Sequence, residues 1–283
     1  MTARVMDGRA LAAQIFEDIA AQVAARVAEG KPPPALATIL VGDDPASATY
    51  VRAKQRNAAR AGIGAQDHRL PASTTTEQLT SLVAELNADD TVSGVLIQQP
   101  VPAQIDMTRV IAALDPVKDV DGFHPVNAGL VSLGLPGAVE PCTPAGIIEL
   151  LRHSGVQLAG ANAVIVGRSN LVGKPVALLL LKQNATVTIC HTKTRDLAAH
   201  TRSADILIAA AGKLGLISKD MVKPRAAVVD VGASWVDGRQ VGDLGPGVDE
   251  VAGWLTPNPG GVGPMTRAML IRNTFQAEAR RRP

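Results

Sequence analysis

The sequence predicts an α/β fold of two domains with largely parallel, doubly wound sheets. Three observations support this prediction. The chain has 283 residues, apolar segments of strand length alternate with helical segments, and a glycine- and proline-rich stretch separates two such alternating halves. This length exceeds the usual size of one hydrophobic core, although it also fits an α/β barrel. Strands that alternate with helices favour parallel sheets.

The first half begins with a helix and continues as alternating elements. Leu11, Ile15 and Ile19 recur at helical spacing, and Gly30 followed by three prolines ends this helix, predicted over residues 9–29. The pattern then predicts strands over residues 36–41, 64–70 and 94–98 and helices over residues 45–61 and 77–87. We expect residues 1–138 to form the first domain.

The periodicity breaks over residues 114–141, which are too many for an ordinary connection inside a compact domain. Such a stretch indicates a functional loop or a domain boundary. After it the pattern predicts helices over residues 144–153 and 173–182 and strands over residues 163–166, 186–190, 205–209 and 227–231. We expect a second domain over residues 139–264. A last helix over residues 267–280, within the segment 265–283, is expected to return to the first domain.

Composition excludes several classes of protein. Lys and Arg number 28 against 26 Asp and Glu, a net charge of +2, and aromatic residues make up 2%, so neither nucleic acid nor an anionic membrane is indicated as a partner. The longest apolar runs are far too short to span a bilayer. Cys142 and Cys190 are far apart, which argues against a disulfide framework or a cysteine-rich zinc site. We therefore expect a soluble, cytoplasmic protein.

A glycine-rich turn follows the strand predicted over residues 163–166. Gly167, Arg168, Ser169 and Gly173 lie between that strand and an apolar helix, the context in which backbone N–H groups and a helix N-terminus bind phosphate. The two glycines are separated by five residues, unlike the usual G-x-G-x-x-G, so a plain tight turn is the alternative. A phosphate-binding turn would make the second domain a Rossmann-like dinucleotide-binding domain.

The end of the next predicted strand bears on the choice of dinucleotide. An NAD-specific domain places an acidic residue about 20 residues after the turn, where it binds the ribose hydroxyls. Residues 190–195 contain no carboxylate and include Thr192, Lys193 and Arg195. Together with Arg168, these side chains suit the 2′-phosphate of NADP, although an ordinary solvated edge is the alternative.

Tyr50 and Lys54 are four residues apart in the second predicted helix, so both lie on one helical face. The apolar strand that runs to Gln98 would provide a partly desolvated environment, in which a lysine suits acid–base chemistry. The alternative is a surface lysine beside a packed tyrosine.

Asp119 and Asp121 lie two residues apart in the long loop, a spacing compatible with a metal site. No histidine-rich or further acidic cluster accompanies them. We therefore expect no metal and favour a substrate-binding carboxylate or a turn.

Several short motifs follow one another along nearly the whole chain. The most specific are PGGVGPMT near the end and DPAS followed by YVRAK near the start, at residues 259–266, 44–47 and 50–54. Between them lie QQP, KDVDG, PCTP and GRS, at residues 98–100, 118–122, 141–144 and 167–169. Taken together, these motifs resemble the bifunctional methylenetetrahydrofolate dehydrogenase/methenyltetrahydrofolate cyclohydrolase family.

The resemblance implies an NADP-dependent folate enzyme of one-carbon metabolism, which supplies purine biosynthesis. Such an enzyme oxidises 5,10-methylenetetrahydrofolate to the 5,10-methenyl form and hydrolyses that product to 10-formyltetrahydrofolate. It further implies a cytoplasmic homodimer that pairs through the second domain, with the active site in the cleft between the two domains.

The resemblance also implies catalytic and substrate-binding roles for four residues. Lys54 would be the central acid–base residue, and Gln98 would tune its protonation. Tyr50 would pack against the folate and orient it. Asp121 would accept hydrogen bonds from the pterin edge, which offers neighbouring N–H donors.

Glycine-rich segments complete the implied site. Gly261, Gly263 and Pro264 would let the backbone approach the folate closely, because glycine has no Cβ. The implied contacts with NADP come from Gly167, Arg168, Ser169, Gly173, Thr192, Gly212 and Gly232.

Four residues depart from the family pattern. Gln99 stands where leucine is usual, and Asn258 stands where an apolar residue is typical. Thr192 replaces the common serine, and Arg267 replaces a β-branched apolar residue.

Two alternatives to the bifunctional enzyme are a dehydrogenase without useful cyclohydrolase activity and a noncatalytic nucleotide-binding regulator. The joint presence of Tyr50, Lys54, Gln98 and Asp121 argues against the regulator.

Overall fold

The structure is a computed structural model that describes residues 2–236 and 239–282, without the side chains of residues 45–50 and of residue 239. The chain forms two units. One consists of Met1–Ala12 and Thr143–Thr266, and the other of Ala13–Cys142 and Arg267–Pro283. We call them, after their main sheets, the six-stranded unit and the three-stranded unit.

The elements are numbered in chain order. The helices are α1 (Gly8–Ala28), α2 (Pro45–Arg60), α3 (Thr76–Ala88), α4 (Met107–Ala113), α5 (Pro125–Leu133), α6 (Cys142–His153), α7 (Gly173–Lys182), α8 (Leu197–Arg202), α9 (Val248–Val251) and α10 (Val262–Arg281), with a 3-10 turn at Lys219–Met221. The strands are β1 (Arg4–Val5), β2 (Ala35–Val41), β3 (Gly64–Leu70), β4 (Gly94–Ile97), β5 (Asn162–Val166), β6 (Thr186–Cys190), β7 (Ile206–Ala209), β8 (Ala227–Asp230), β9 (Ser234–Val236), β10 (Arg239–Val241) and β11 (Trp254–Leu255).

The three-stranded unit is built on a parallel sheet in the order β3-β2-β4. Its central strand β2 is almost entirely buried, as expected for a parallel strand covered on both faces. One core cluster joins Ile39 of β2 to Leu79 and Val83 of α3. Thr75 and Gln78 form a reciprocal capping box at the start of α3, which determines where this helix begins.

The C-terminal helix α10 packs against α1 within the three-stranded unit. Arg26 Nη2 donates to Glu278 Oε1 at 3.2 Å, and the two side chains are 8% and 2% exposed. Ser93 Oγ donates to the second carboxylate oxygen of Glu278 at 2.8 Å. A buried carboxylate is tolerated when it is paired and hydrogen-bonded, so these contacts hold the end of the chain in this unit. The predicted return of the last helix to the first domain is confirmed.

The six-stranded unit is a parallel sheet in the order β1-β11-β8-β7-β5-β6. Its strands β5, β7 and β8 are buried along nearly their whole length. The hairpin of β9 and β10 is antiparallel and forms a small sheet of its own. The doubly wound parallel architecture predicted from the alternating elements is therefore confirmed.

The first twelve residues group with the six-stranded unit, although the sequence pattern placed residues 1–138 together. The physical reason is that β1 pairs with β11, with Arg4 opposite Trp254. In addition, a Cβ on Gly8 would lie 1.8 Å from the carbonyl oxygen of Gly261, so only glycine allows this approach. Residues 139–142, expected in the second domain, group with the three-stranded unit.

The predicted helices and strands all occur, but the structure adds elements that the pattern did not indicate. The stretch over residues 114–141 contains α5, whose start is capped by His124 and whose end is closed by Gly134 at φ 66°. The last helix begins at Val262 rather than at residue 267, because Gly263 and Pro264 are tolerated in a first turn, where backbone N–H groups have no helical partner. Among the described residues, no helix has the length and apolar character required to cross a membrane.

Candidate active site

Lys54 and Gln98 form a hydrogen-bonded pair in the three-stranded unit. Lys54 lies in the middle of α2, and Gln98 directly follows the buried strand β4. Lys54 Nζ donates to Gln98 Oε1 at 3.0 Å, and Gln98 Nε2 donates to the carbonyl oxygen of Gln99 at 2.6 Å. Because the amide nitrogen of Gln98 is hydrogen-bonded to the backbone of Gln99, the amide oxygen faces the amine of Lys54. The lysine is half-buried, so its amine is held by a specific acceptor and not only by solvent.

Asp121 lies near Lys54 in a partly buried position. Burial raises the pKa of its carboxyl group above the usual value, while the charge of Lys54 opposes the rise. Burial also raises the pKa of the neighbouring Cys142 thiol well above its usual value. A carboxyl group in such an environment gains strongly from a ligand that donates hydrogen bonds to it. The structure therefore places Lys54, Gln98 and Asp121 near one another, and their roles stay predictions.

Asp119, the other carboxylate of the loop, is occupied within the loop itself. Its two oxygens accept from the backbone N–H groups of Gly122 at 3.0 Å and His124 at 2.7 Å, and from Asn127 Nδ2 at 2.9 Å. Asp119 thus shapes the turn that presents Asp121. Among the described residues, no group of three or more His, Cys, Asp or Glu side chains could hold a metal ion.

Tyr50 lies on α2, one turn before Lys54. Its side chain lies outside the described part of the structure, so its predicted contact with the substrate stays a prediction.

Two buried residues that the sequence reasoning missed hold the loop of Asp121 in place. Lys118 Nζ donates to three carbonyl oxygens at the end of α3. Asn273 Nδ2 on α10 donates to the carbonyl oxygens of Val120 at 2.9 Å and Glu140 at 3.1 Å. Lys118 lies within the KDVDG motif, which was a signal for its importance, whereas nothing local marks Asn273.

The glycine-rich turn lies at the carboxyl end of β5 in the six-stranded unit. Gly167 has φ 137°, and a Cβ on it would lie 2.1 Å from the carbonyl oxygen of Ala210. A Cβ on Gly173 would lie 2.2 Å from the carbonyl oxygen of Gly167. Both positions therefore require glycine. Ser169 Oγ accepts from the N–H groups of Val172 at 3.1 Å and Gly173 at 3.4 Å, which closes the turn onto the start of α7.

The basic and hydroxyl side chains predicted to meet a 2′-phosphate are exposed at the same edge of the sheet. Arg168 follows β5, and Thr192, Lys193 and Arg195 follow β6. The first carboxylate after β6, that of Asp196, accepts from the N–H group of Ala199 and caps α8. The edge therefore offers exposed cations and a glycine turn at a helix N-terminus, which fits a dinucleotide that carries an additional phosphate.

Gly212 and Gly232 follow β7 and β8, and both contact the buried Asp243, which the sequence reasoning did not identify. Asp243 Oδ2 accepts from the N–H group of Gly212 at 3.0 Å. A Cβ on Gly232 would lie 2.4 Å from Asp243 Oδ1. No residue pattern near Asp243 signalled this contact, because it joins segments that are far apart in the chain.

The second glycine-rich motif belongs to the six-stranded unit. The N–H group of Gly261 donates to the carbonyl oxygen of Pro257 at 2.7 Å, and a Cβ on Gly261 would lie 2.6 Å from the Cβ of Thr256. Gly263 and Pro264 lie in the first turn of α10, and Gly263 has open space where a Cβ would be. The requirement for glycine at position 261 is thus internal to the fold, whereas position 263 is free of such a requirement.

One of the departures from the family pattern, Asn258, has a structural role. The carbonyl oxygen of residue 99 that accepts from Gln98 is a backbone group, so leucine at this position would supply it equally. Asn258 Nδ2 donates to the carbonyl oxygen of Gly232 at 2.6 Å, and Asn258 Oδ1 accepts from Gln240 Nε2 at 3.0 Å. Asn258 therefore links the loop after β8 to the strand β10.

Comparisons with known proteins agree with this geometry. Residues 6–121 match the family model of the tetrahydrofolate dehydrogenase/cyclohydrolase catalytic domain, and residues 141–282 match that of its NAD(P)-binding domain. The chain is 53% identical over 283 residues to the bifunctional protein FolD of Sorangium cellulosum, which covers 99% of both chains.

Solved structures give the same result. The bifunctional enzyme FolD from Campylobacter jejuni is 43% identical, covers 99% of both chains and superposes with a TM-score of 0.97. The methylenetetrahydrofolate dehydrogenase-cyclohydrolase of Trypanosoma brucei, solved with NADP cofactor and inhibitor, is 38% identical, covers 99% of both chains and superposes with a TM-score of 0.94. The chain therefore belongs to the tetrahydrofolate dehydrogenase/cyclohydrolase family.

Proposed function

We propose that this chain oxidises 5,10-methylenetetrahydrofolate with NADP to 5,10-methenyltetrahydrofolate and hydrolyses that product to 10-formyltetrahydrofolate, in one-carbon metabolism. The observation that carries the proposal is the Lys54–Gln98 pair beside Asp121, in a chain of this family. The full-length identity to a bifunctional relative supports both activities.

The six-stranded unit supplies the cofactor site. NADP would be held by the turn and by further residues at the carboxyl edge of the sheet, namely Gly167, Arg168, Ser169, Gly173, Thr192, Gly212 and Gly232. Arg168 suits the additional phosphate because an exposed guanidinium makes charge-assisted hydrogen bonds with a phosphate group. When bound, NADP accepts the hydride that leaves the methylene bridge of the folate.

The second step adds water to the cationic methenyl carbon. As water attacks, it must lose a proton, and the C–N bond that closes the ring must break with a proton delivered to the departing nitrogen. The amine of Lys54 suits both transfers, because in its neutral form it accepts a proton and in its charged form it returns one. Gln98 accepts from the amine at 3.0 Å and so holds it at a fixed position between these transfers.

Asp121 is proposed to bind the pterin ring. The residue is partly exposed, and burial of its carboxyl group raises the pKa. Two neighbouring N–H donors on the ring would satisfy both carboxylate oxygens and offset that desolvation. Tyr50, Gly261, Gly263 and Pro264 are proposed as further folate contacts, on the strength of the family pattern at these positions.

The protein is further proposed to be a cytoplasmic homodimer that pairs through the six-stranded unit. On the hairpin of β9 and β10, Trp235 is 60% exposed and Val236 is 40% exposed. Large exposed apolar side chains favour an interface. Cys142 and Cys190 are free and buried, which agrees with a reducing compartment.

The variant Lys54→Ser tests the proposed function when the two activities are measured separately. NADPH formation from methylenetetrahydrofolate reports the first step, and decay of added methenyltetrahydrofolate without NADP reports the second. We expect the variant to lose the hydrolysis by a factor of about 100 or more, since general acid–base groups contribute on this order. Lys31→Ser, at an exposed lysine paired with Glu29, is the matched control and should keep both activities.

Other outcomes of this experiment are decisive. A wild-type protein that forms no NADPH from methylenetetrahydrofolate would contradict the proposal outright. A wild-type protein that forms NADPH but does not accelerate methenyl decay would be a dehydrogenase only. Hydrolysis that survives unchanged in Lys54→Ser would remove the lysine from the second step.

A further inference from the structure

Asp243 is a completely buried carboxylate that binds three consecutive backbone N–H groups. It lies two residues after β10, with 0% of its surface exposed. Oδ2 accepts from Ala211 N at 2.6 Å and Gly212 N at 3.0 Å, and Oδ1 accepts from Lys213 N at 2.8 Å. Successive backbone N–H groups form an anion-binding concavity, and here a side chain of the same unit fills it.

The surroundings of Asp243 leave its carboxylate little freedom. A Cβ on Gly232 would lie 2.4 Å from Oδ1, so the loop after β8 must carry glycine at this point. The N–H group of Asp243 donates to Asp230 Oδ1 at 2.9 Å, and the N–H group of Gly232 donates to the same atom at 3.0 Å. Two buried carboxylates thus brace the loops that follow β7 and β8.

The loop held by Asp243 packs directly against the glycine-rich turn. The N–H group of Ala210 donates to the carbonyl oxygen of Val166 at 2.8 Å. The carbonyl oxygen of Ala210 fills the space beside Gly167, where a Cβ would lie 2.1 Å away. A shift of residues 210–213 would therefore be transmitted to the turn that binds phosphate.

We propose that Asp243 is a positioning residue of the NADP site, which fixes residues 210–213 against the glycine-rich turn before the cofactor binds. The inference rests on the proposed function and goes beyond it by assigning a specific role to a residue that does not touch substrate. Asp243 affects the oxidation of the folate through the affinity of the protein for NADP. It leaves the hydrolysis at Lys54 unchanged.

The variant Asp243→Asn tests this assignment. An amide offers one oxygen where the carboxylate offers two, so its NH₂ group must face at least one of the three backbone donors. We expect the Kd for NADP, measured by calorimetry on the full chain, to rise about tenfold or more, because at least one charge-assisted hydrogen bond that fixes residues 211–213 is lost. Hydrolysis of methenyltetrahydrofolate without NADP should stay within about twofold of wild type, which a general loss of structure would not allow.

Asp205→Asn is the matched control, since Asp205 lies at the opposite, amino end of the strands of the same sheet. Its carboxylate accepts from the N–H group of Asn162 at 2.9 Å and from Lys223 Nζ at 2.5 Å. This variant should bind NADP with wild-type affinity. An unchanged Kd in folded Asp243→Asn, or a rise of the same size in Asp205→Asn, would overturn the inference while the wild-type enzyme still forms NADPH.

If Asp243→Asn does not fold, amide hydrogen exchange of the wild-type protein tests whether Asp243 fixes residues 211–213. The inference requires that the N–H groups of residues 211–213 are strongly protected before NADP is added. Exchange at the rate of a free loop in the protein without NADP would overturn it. A wild-type protein that lacks both activities would instead contradict the proposed function, so the two failures are distinguishable.

Discussion

Asp119 and Asp121 differ in role although they are the same residue type two positions apart. Asp119 accepts three hydrogen bonds from its own loop, whereas Asp121 lies near Lys54 with its pKa raised by burial. The sequence alone leaves a turn and a substrate-binding carboxylate as alternatives for this pair. The folded loop assigns the turn to Asp119, and substrate binding stays a proposal for Asp121.

Asp121→Asn should make the protein more stable at neutral pH. Because burial raises the folded-state pKa above the usual 3.8, the folded protein holds this proton more tightly than the unfolded chain does. The stabilising contribution is therefore complete below the unfolded pKa and is lost as the pH rises through the folded value. At neutral pH the ionised carboxylate is unfavourable, and the amide relieves it.

Urea unfolding of Asp121→Asn and wild type at pH 7, and again below the unfolded pKa of the carboxyl, measures this effect. The variant should have the higher free energy of unfolding at pH 7, and the difference should disappear in acid. Asp18→Asn, on the exposed face of α1, should change little at either pH. A variant less stable than wild type at neutral pH would contradict the assigned cause of the shift.

Arg168→Ala should weaken NADP much more than NAD. The guanidinium is exposed beside the glycine-rich turn, and a charge-assisted pair with a phosphate contributes about 1.5–3 kcal/mol, or about 10- to 100-fold in Kd. Calorimetric titration of the variant with each dinucleotide measures the two losses. Arg202→Ala, on α8 of the same unit, is the control. Equal losses for NADP and NAD would show that Arg168 does not bind the 2′-phosphate.

At the scale of elements, the predictable part of the fold is what local pattern determines. The helices α1 and α7 and the strands β2 and β5 show clear periodicity or apolar runs, and their positions match the predicted ones closely. The helix α5 was missed because its apolar residues, among them the exposed Leu133, do not mark one buried face. The strands β1 and β11 are two residues long, which is too short for a recognisable local pattern. They are strands because they pair with segments that are distant in the chain.

The end of α3 depends on a contact that no local pattern contains. Lys118 is 1% exposed, and its amine donates to the carbonyl oxygens of Leu86, Asn87 and Asp89 at 2.7–2.8 Å. Burial lowers the pKa of this lysine. The three carbonyl groups lie at the end of α3, where no following helical turn supplies N–H donors. The amine of Lys118 donates to them instead and so links α3 to the loop of Asp121.

Lys118→Met should therefore lower the free energy of unfolding by about 2–4 kcal/mol, since it leaves one buried and two partly buried carbonyl groups without their donor. Denaturant unfolding measures the loss. Lys31→Met, at an exposed ion pair with Glu29, is the control and should cost well under about 1 kcal/mol. A loss in Lys118→Met as small as in the control would contradict the capping role.

At the scale of the whole molecule, composition, length and ordered motifs were sufficient to predict two α/β domains and the family. They were insufficient for the association of residues 1–12 with the six-stranded unit, because that depends on the pairing of β1 with β11 and on the close approach of Gly8 and Gly261. The hydrogen bonds from residues 211–213 to Asp243 could likewise not be predicted from the sequence. Such long-range contacts are properties of the assembled fold.

Trp235→Arg should convert the proposed dimer into a monomer. A charged side chain at the centre of an apolar interface is costly to bury, whereas on an exposed hairpin it has little effect on folding. Light scattering of wild type and variant at matched concentration measures the mass. Leu214→Arg, at another exposed apolar residue of the same unit, is the control and should stay dimeric. A monomeric wild-type protein would contradict the proposal.

One chain is proposed to perform both reactions, and the product balance of a single incubation measures whether it does. Purified protein is supplied with 5,10-methylenetetrahydrofolate and NADP, and the NADPH and 10-formyltetrahydrofolate formed are quantified together. We expect equal amounts of the two products, with 10-formyltetrahydrofolate formed faster than methenyltetrahydrofolate hydrolyses without enzyme. Absence of NADPH, or NADPH accompanied only by accumulating methenyltetrahydrofolate, would contradict it.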